Sequence, residues 1–249
     1  FYPLATDGHE NDIRWVFGGA HGRYYVGRFN GKTFIQEQQA GRLEYGPHAY
    51  AAQTWDAPGP DGPGRIRIAW NRYDLQHMPF NGSMTFPCAL SLLTLNGKVC
   101  LCAKPVGALS RLYKETVVYG AISLKNGQSW KAALRGKLYD LSVQFACAGD
   151  SILQLAVFGL SLYYDAGQGT LSCMGHTAPL SRKDGCEKLR LLIDVQGVEI
   201  YGGEGEAILC YGFALDYEAN ILEITAEKGY MEIRELTIAE LNPAEPHDQ

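Results

Sequence analysis

Residues 50–70, YAAQTWDAPGPDGPGRIRIAW, contain two β-strand patterns separated by a loop. The first pattern is rich in aromatic residues, and the connecting stretch holds three prolines and three glycines. The chain then returns as an alternating apolar and polar run that ends in Trp70. Because proline and glycine interrupt regular strands, this stretch predicts a hairpin with a broad, rigid, aromatic edge.

Further hairpins are predicted from short turn signals along the chain. Asn-Gly, the strongest short hairpin signal, occurs at 30–31, 96–97 and 126–127, each time between alternating strands. KLRLLIDVQGVEIYGG reads as another hairpin, with its turn at 196–197. The one helical pattern is a short turn near 107–113. The sequence therefore predicts an all-β protein.

Composition excludes several classes of protein. The chain has 249 residues, of which 46% are hydrophobic and 20% charged, typical of a globular rather than a disordered protein. Its formal net charge is -5 and its lysines and arginines are scattered, so we expect no nucleic-acid partner. No apolar run approaches the roughly 20 residues that span a bilayer, so we expect no membrane partner.

The cysteine and histidine patterns predict neither disulfides nor a metal site. The cysteines are odd in number, lack Cys-x-x-Cys spacing and lie in apolar strands, where thiols are generally reduced. We therefore expect a reducing, cytoplasmic setting. The six histidines are dispersed without His-x-x-x-His spacing, so no metal or other cofactor is predicted. The seven cysteines are Cys88, Cys100, Cys102, Cys147, Cys173, Cys186 and Cys210.

Two regions of the chain differ in texture. Residues 1–92 are rich in Tyr, Trp, Gly and Pro and could hold two four-stranded units of roughly 40–45 residues, the size of a propeller blade. Residues 112–243 have shorter, regular strands with aliphatic interiors, typical of a β-sandwich. We assign 1–102 to a partial propeller, 103–113 to a linker and 114–249 to the sandwich. The absence of an initiator Met before Phe1 indicates processing or a piece of a longer protein.

Several segments resemble, in order and spacing, motifs of glycoside hydrolase family 32, the family of invertases, fructan hydrolases and sucrose-6-phosphate hydrolases. WVFGGAHGRYYVGRFNGKTF at 15–34 is similar to that family's Phe-Gly-Gly and Tyr-x-x-Gly-x-Phe-x-Gly strand pair. LEYGPHAYAAQTWDAP at 43–58 is similar to its Asp-Tyr-Gly-x-Asp-Phe-Tyr-Ala-x-Gln-Thr stretch. The remaining matches are RIRIAWN, NGSMTFPCALSL and KLRLLIDVQGVEIYGGEGEAIL, and together they extend from residue 1 to about 241.

The resemblance implies an all-β architecture, the last two blades of a five-bladed β-propeller followed by a β-sandwich. It also implies retaining hydrolysis of a β-fructofuranosyl bond by two carboxylates about 5 Å apart. In the family these acids, with a third that binds sugar hydroxyls, lie in Asn-Asp-Pro, Arg-Asp-Pro and Glu-Cys-Pro motifs. None of these motifs occurs here. The resemblance places FYPL just after the Glu-Cys-Pro motif, so we expect the chain alone to be inactive.

Candidate substrate-binding residues follow from the same resemblance. Tyr50, Gln53 and Trp70 correspond to positions near the family's sugar pocket, where an indole face can pack against a furanose ring and an amide can bond hydroxyls. Tyr50 and Trp70 could equally be aromatics that pack between blades. His48 stands where the family has Asp, as either a binding or a structural residue.

Other positions depart from the family or offer alternative acids. Asn81 replaces an Arg, and Cys88 and Ala89 replace Arg-Glu, which removes charge from the pocket side. Asp194 and Glu199 flank the turn at 196–197 but have no aromatic or basic companions nearby, so we interpret them as structural. GGEGEA at 202–207 reads as a turn, since no helix follows to bind a phosphate.

Three functions are compatible with these residues. The leading hypothesis is the C-terminal part of a β-fructosidase-type hydrolase acting on sucrose or fructans. The second is a non-catalytic fructan-binding protein, and the third is a structural or interaction fragment. Two blades alone would expose large apolar faces, so we expect the missing N-terminal propeller half, or self-association, to cover them.

Overall fold

The computed structural model describes residues 1–59, 62–74, 81–181, 185–212 and 214–243. This part of the chain consists of twenty-two β-strands and a single 3-10 turn at Gly107–Leu112, so the prediction of an all-β protein is confirmed. No helix found in it is long and apolar enough to cross a membrane.

The chain divides into two compact units. The first consists of Phe1–Val106 together with Gly203–Gly212. The second consists of Gly107–Gly202 and the described residues from 214 to 243. Residues 103–113, which we assigned to a linker, hold the end of one strand and the 3-10 turn.

The first unit contains two antiparallel, four-stranded meanders. Strands β1, β2, β3 and β4 pair in chain order, and so do β6, β7, β9 and β10. A short parallel pairing of Thr6 with Leu92 joins the two meanders into one sheet. The strands are β1 Tyr2–Thr6, β2 His9–Gly18, β3 Arg23–Phe29, β4 Phe34–Gln36, β5 Gly41–Arg42, β6 Ala49–Gly59, β7 Gly62–Asn71, β8 Ser83–Met84, β9 Cys88–Leu95, β10 Lys98–Pro105 and, from later in the chain, β20 Ala207–Gly212.

The predicted hairpin over residues 50–70 is confirmed as the pair of β6 and β7. At the Asn96-Gly97 turn both residues have positive φ, +48° and +76°, as a tight type I′ turn requires. Asn30-Gly31 also lies in a hairpin, but in a longer connection. There the Asn30 side chain accepts hydrogen bonds from the backbone N–H groups of Lys32 and Thr33.

One face of the first meander is aromatic and uncovered. The Phe1 ring stacks on Trp15 at 4.8 Å and meets the edge of Phe29 at 5.0 Å. Phe1 and Phe17 are each about half exposed, at 50% and 51%. Because side chains alternate along a strand, the residues between them form the opposite, buried face. The aromatic face consists of Phe1, Trp15, Phe17, Tyr25, Phe29 and Phe34, and the buried face includes Tyr2, Val16, Tyr24 and Val26.

The segment Gly203–Gly212 is bonded into the first unit although it lies a hundred residues further along the chain. The Ile208 N–H donates to the Leu43 carbonyl at 2.9 Å, and the Tyr45 N–H donates to the Ile208 carbonyl at 2.7 Å. The Ala103 N–H also donates to the Gly205 carbonyl at 2.9 Å. These backbone bonds hold the segment in the first unit.

The second unit is a sandwich of two antiparallel sheets. The orders are β11-β22-β13-β18-β19 and β12-β21-β14-β15-β16-β17. The sheets face each other across a buried core in which Phe145 and Tyr164 lie 5.5 Å apart. The strands are β11 Tyr113–Lys125, β12 Ser129–Ala133, β13 Tyr139–Cys147, β14 Ile152–Val157, β15 Leu160–Asp165, β16 Thr170–Cys173, β17 His176–Pro179, β18 Glu187–Asp194, β19 Gly197–Gly202, β21 Ile221–Lys228 and β22 Tyr230–Leu241.

Two turn predictions in this unit differ from the structure. The prediction of a hairpin at Asn126-Gly127 is wrong. The chain turns there, but β11 pairs with β22 and β12 pairs with β21, so the turn connects one sheet to the other. A turn signal fixes the reversal of the chain but not the partner of each strand. The hairpin of β18 and β19 is confirmed, with its turn at Val195-Gln196, one residue earlier than predicted.

Candidate functional site

Tyr50 and Trp70 form an aromatic pair on the β6–β7 hairpin. The two residues are opposite each other in the register, and their ring centroids are 6.4 Å apart at 64°. Trp70 is 47% exposed. It is therefore the member of the pair that presents a free apolar surface.

A β-bulge decides which side chains share a face with Trp70. Ala51 has a positive φ of +48°, and the pairing shifts between Tyr50 and Gln53. Two residues of β6 therefore lie opposite the single residue Ala69. In a regular strand Tyr50 and Gln53 would point to opposite faces, but the extra residue puts both on the side of Trp70.

Tyr50 is held from two sides. The Arg72 guanidinium lies 4.1 Å from the centroid of the Tyr50 ring, in cation–π geometry. The His21 ring packs against it with centroids 4.8 Å apart. These contacts favour a packing role for Tyr50 and leave Trp70 as the aromatic platform.

A cleft of about 250 Å³ opens beside Trp70. The Asn81 side-chain amide donates to Asp74 at 2.8 Å, so both polar groups are fixed next to the indole. Gly82 has a φ of +75°, and a Cβ there would lie 2.7 Å from the Trp70 indole nitrogen, so only glycine fits. The lining residues are Trp70, Arg72, Tyr73, Asp74, Asn81 and Gly82.

The chemistry of this cleft suits a polyhydroxylated ligand. Trp70 supplies a flat apolar face, Arg72 supplies donors, and Asp74 and Asn81 supply acceptors beside them. Sequence reasoning missed Arg72 and Asp74. The only available signal was their position directly after Trp70, where the strand ends and a loop begins.

His48 lies outside this cleft. Its Nδ1 accepts a hydrogen bond from the Gly212 N–H at 2.9 Å, and its ring packs 5.4 Å from Tyr73. Since Nδ1 is an acceptor, the neutral ring carries its proton on Nε2. His48 therefore supports Tyr73, which lines the cleft, and holds the segment Gly203–Gly212.

Gln53 lines a different cavity of about 330 Å³ in the first unit. Three arginines line it, Arg23, Arg65 and Arg67, and the guanidinium groups of the last two are already engaged. Arg65 bonds Thr54 at 3.0 Å and lies 4.6 Å from the centroid of the Tyr2 ring, and Arg67 pairs with Glu44. Burial raises the pKa of Tyr2 to about 12, which keeps its phenol neutral. The structure thus brings Tyr50 and Trp70 together but places Gln53 and His48 in separate environments.

The carboxylates of the described residues do not form a catalytic pair at the cleft. Asp74 is the one acid in its lining. Glu44 is buried in its ion pair with Arg67. Glu199 is buried and accepts from the Tyr201 hydroxyl at 2.5 Å, and Asp194 accepts from the following backbone N–H at 2.7 Å, so both have structural contacts. No group of three or more His, Cys, Asp or Glu in the described part of the chain could hold a metal ion.

Comparison with known proteins gives the family. The model of the glycosyl hydrolases family 32 N-terminal domain matches residues 11–105, which include β6, β7 and the cleft beside Trp70. The levanase of Bacillus subtilis is 25% identical over 95% of this chain. The resemblance to glycoside hydrolase family 32 that the sequence indicated is thereby confirmed, and residues 11–105 match the family's own model.

Solved structures of family 32 proteins share the fold. The exo-inulinase of Aspergillus awamori superimposes with a TM-score of 0.80 at 20% identity, covering 97% of this chain and 56% of its own. A β-fructofuranosidase from Schwanniomyces occidentalis, complexed with fructosyl-erythritol, gives 0.77 at 16% identity, covering 97% and 59%. The chain spans 41% of the levanase and 56% of the exo-inulinase structure, about half the length of these proteins.

Proposed function

We propose that this chain is the C-terminal part of a family 32 β-fructofuranosidase-type hydrolase acting on sucrose or fructans. The cleft beside Trp70 carries the proposal, because it places an exposed indole next to fixed hydrogen-bonding groups within the segment that matches the family. In this proposal the two meanders are the last two blades of a five-bladed propeller. The relatives support the substrate class, since they include a levanase and exo-inulinases.

The chain contributes binding rather than bond cleavage in this proposal. Retaining hydrolysis needs one carboxylate to attack the anomeric carbon and a second group to protonate the leaving oxygen. None of the three family acid motifs occurs in the sequence. Trp70 packs against a sugar ring, while Arg72, Asp74 and Asn81 bond its hydroxyls and hold it for acids supplied by the rest of the protein.

The aromatic face of the first meander supports a missing neighbour. Its members are Phe1, Trp15, Phe17, Tyr25, Phe29 and Phe34. Exposed aromatic clusters of this kind mark interaction surfaces. The N-terminal half of the parent protein is the proposed occupant, and a second copy of the chain is the alternative. The cytoplasmic setting stays a prediction from the cysteine pattern.

Reconstitution tests the proposal. The chain alone should release no fructose from sucrose or inulin, whereas the chain mixed with the N-terminal half of its parent should do so. Trp70→Ala should then raise KM by about tenfold, because it removes the platform for the sugar. Trp55→Ala is the matched control, since Trp55 is an exposed indole on the same hairpin but outside the cleft. Hydrolysis by the chain alone, or equal effects of the two variants, would contradict the proposal.

Non-catalytic fructan binding is the second candidate, and the same cleft favours it. Calorimetric titration of the chain with fructose, sucrose and inulin separates it from the first. Saturable heat from the chain, together with no hydrolysis by the reconstituted protein, would support binding alone.

A further inference from the structure

A cleft of about 210 Å³ lies in the second unit, between the first half of β11 and the residues that follow β12. It is smaller than the ~300–1,000 Å³ of sites for drug-sized ligands, so it has room for a single ring. Its lining residues are Glu115, Val117, Tyr119, Ala132, Ala133, Leu134, Arg135, Tyr139, Ile238 and Glu240.

Two of these residues bring carboxylates to the cleft from neighbouring strands. Glu115 pairs with Glu240 in the register of β11 and β22, and Val117 pairs with Ile238. Ile238 is buried, and Glu240 shares its face because the two residues are two apart on one strand. The Glu240 side chain is only 16% exposed, so its carboxylate needs a partner, whereas Glu115 on the neighbouring strand is exposed at the mouth of the cleft.

The Glu240 carboxylate is held in a fixed position. Lys114 donates to it at 2.7 Å, and this contact raises the pKa of the Lys114 ammonium. Gly136 leaves space for it, since a Cβ at that position would lie 2.7 Å from Glu240 Oε1. The site is therefore shaped around the Glu240 carboxylate.

The charges and the apolar wall together define the kind of ligand. Glu115 and Glu240 are balanced by Lys114 and Arg135, which disfavours a free cation or anion and suits a neutral ligand rich in hydroxyls. The Tyr119 ring is fixed by edge contact with Trp130, with centroids 4.8 Å apart, and it offers an apolar surface to a ring.

We infer that this cleft is a second carbohydrate-binding site, which takes one sugar ring independently of the cleft beside Trp70. The Glu115 and Glu240 carboxylates accept hydrogen bonds from sugar hydroxyls. Arg135 donates hydrogen bonds to other hydroxyls of the sugar at the rim, and Tyr119 packs against the sugar ring. That the sugar is a fructosyl unit rests on the proposed function.

Calorimetric titration of the full chain tests the inference with 1-kestose and inulin as probes and cellobiose as a different sugar. Glu115→Gln should weaken binding at this site by about tenfold or more, since it removes a charged acceptor. Tyr119→Ala should weaken it as well, with melting curves to verify that the variant is folded. Glu223→Gln is the matched control, because Glu223 pairs with Lys131 outside the cleft.

The variants distinguish the two sites. Binding that is lost in Glu115→Gln but kept in Glu223→Gln and Trp70→Ala supports the second site. Saturable binding that Trp70→Ala abolishes and Glu115→Gln leaves unchanged overturns it while leaving the proposed function intact. The inference is also overturned if none of the sugars gives saturable heat. The proposed function is then tested separately, by whether the reconstituted protein hydrolyses sucrose or inulin. Preference for cellobiose supports the site but contradicts the fructosyl assignment.

Discussion

Removing the charge of Glu44 tests what holds the first unit together. The Arg67 guanidinium donates to the Glu44 carboxylate, and the two side chains are only 6% and 3% exposed. Cys210 of β20 also approaches this carboxylate, with Sγ 3.9 Å from Oε2. Glu44→Gln keeps the shape of the side chain but removes the carboxylate charge that pairs with the buried Arg67 guanidinium.

The expected loss is large relative to the stability of a single domain. Removing one partner of a buried ion pair costs about 3–5 kcal/mol, against a typical total of about 5–15 kcal/mol. With a denaturant slope of about 1–3 kcal/mol per molar urea, the unfolding midpoint should fall by roughly 1–5 M. Tryptophan fluorescence suits the measurement, because Trp15, Trp55 and Trp70 lie in the first unit and only one other tryptophan exists.

Two controls define the refutation. Asp56→Asn removes an acid from the same hairpin, where it pairs with Arg65 but is 81% exposed, so its cost should stay within about 1 kcal/mol. Replacing Glu44 and Arg67 together by Leu and Met should recover much of the loss, since no unpaired charge remains. Equal midpoints for Glu44→Gln and Asp56→Asn would refute the reasoning.

Three further outcomes are expected. Gly46→Ala should destabilise the first unit by about 1–3 kcal/mol in a urea titration, because its Cβ would lie 2.5 Å from a backbone nitrogen of β20. Gly18→Ala is the control and should be nearly neutral, because no atom lies within 4 Å of the added Cβ. Burial raises the pKa of Tyr2 from 10.0 to about 12. The stabilisation from its neutral phenol is therefore complete below pH 10 and is lost as the pH rises through 12. The melting temperature of Tyr2→Phe should accordingly fall less between pH 10 and 12 than that of the parent chain. Burial also raises the pKa of the Cys102 thiol, so iodoacetamide and mass spectrometry should find partly exposed Cys186 modified first, and faster modification of Cys102 would contradict its burial.

Local sequence signals predicted the strands well but not always their partners. Asn96-Gly97 gave a correct hairpin because its two residues can adopt positive φ and its flanking strands are adjacent. Asn126-Gly127 carries the same signal, yet its strands join different sheets. Pairing in a sandwich depends on which strands bury a common face, which is information spread over the whole unit.

The candidate site was predictable only in part. An aromatic strand end identified Trp70, but the cleft also needs Asn81 and Asp74, which are seven positions apart in the sequence and meet only in the folded chain. Gln53 and Tyr50 illustrate the same limit, since the bulge at Ala51 reverses the usual alternation of side chains. No pattern in the sequence indicated that Gly203–Gly212 belongs with the first unit.

The membership of Gly203–Gly212 in the first unit has a consequence for how the chain folds during synthesis. Translation delivers residues 1–106 well before the segment Gly203–Gly212 that hydrogen-bonds to them, and a ribosome adds about 5–20 residues per second. Residues 107–202 must emerge first, so the first unit waits for about 5–20 s without the backbone partners of Leu43 and Tyr45. A nascent chain arrested before residue 203 should accordingly be protease-sensitive in that unit, and it should become resistant once residue 212 has left the exit tunnel.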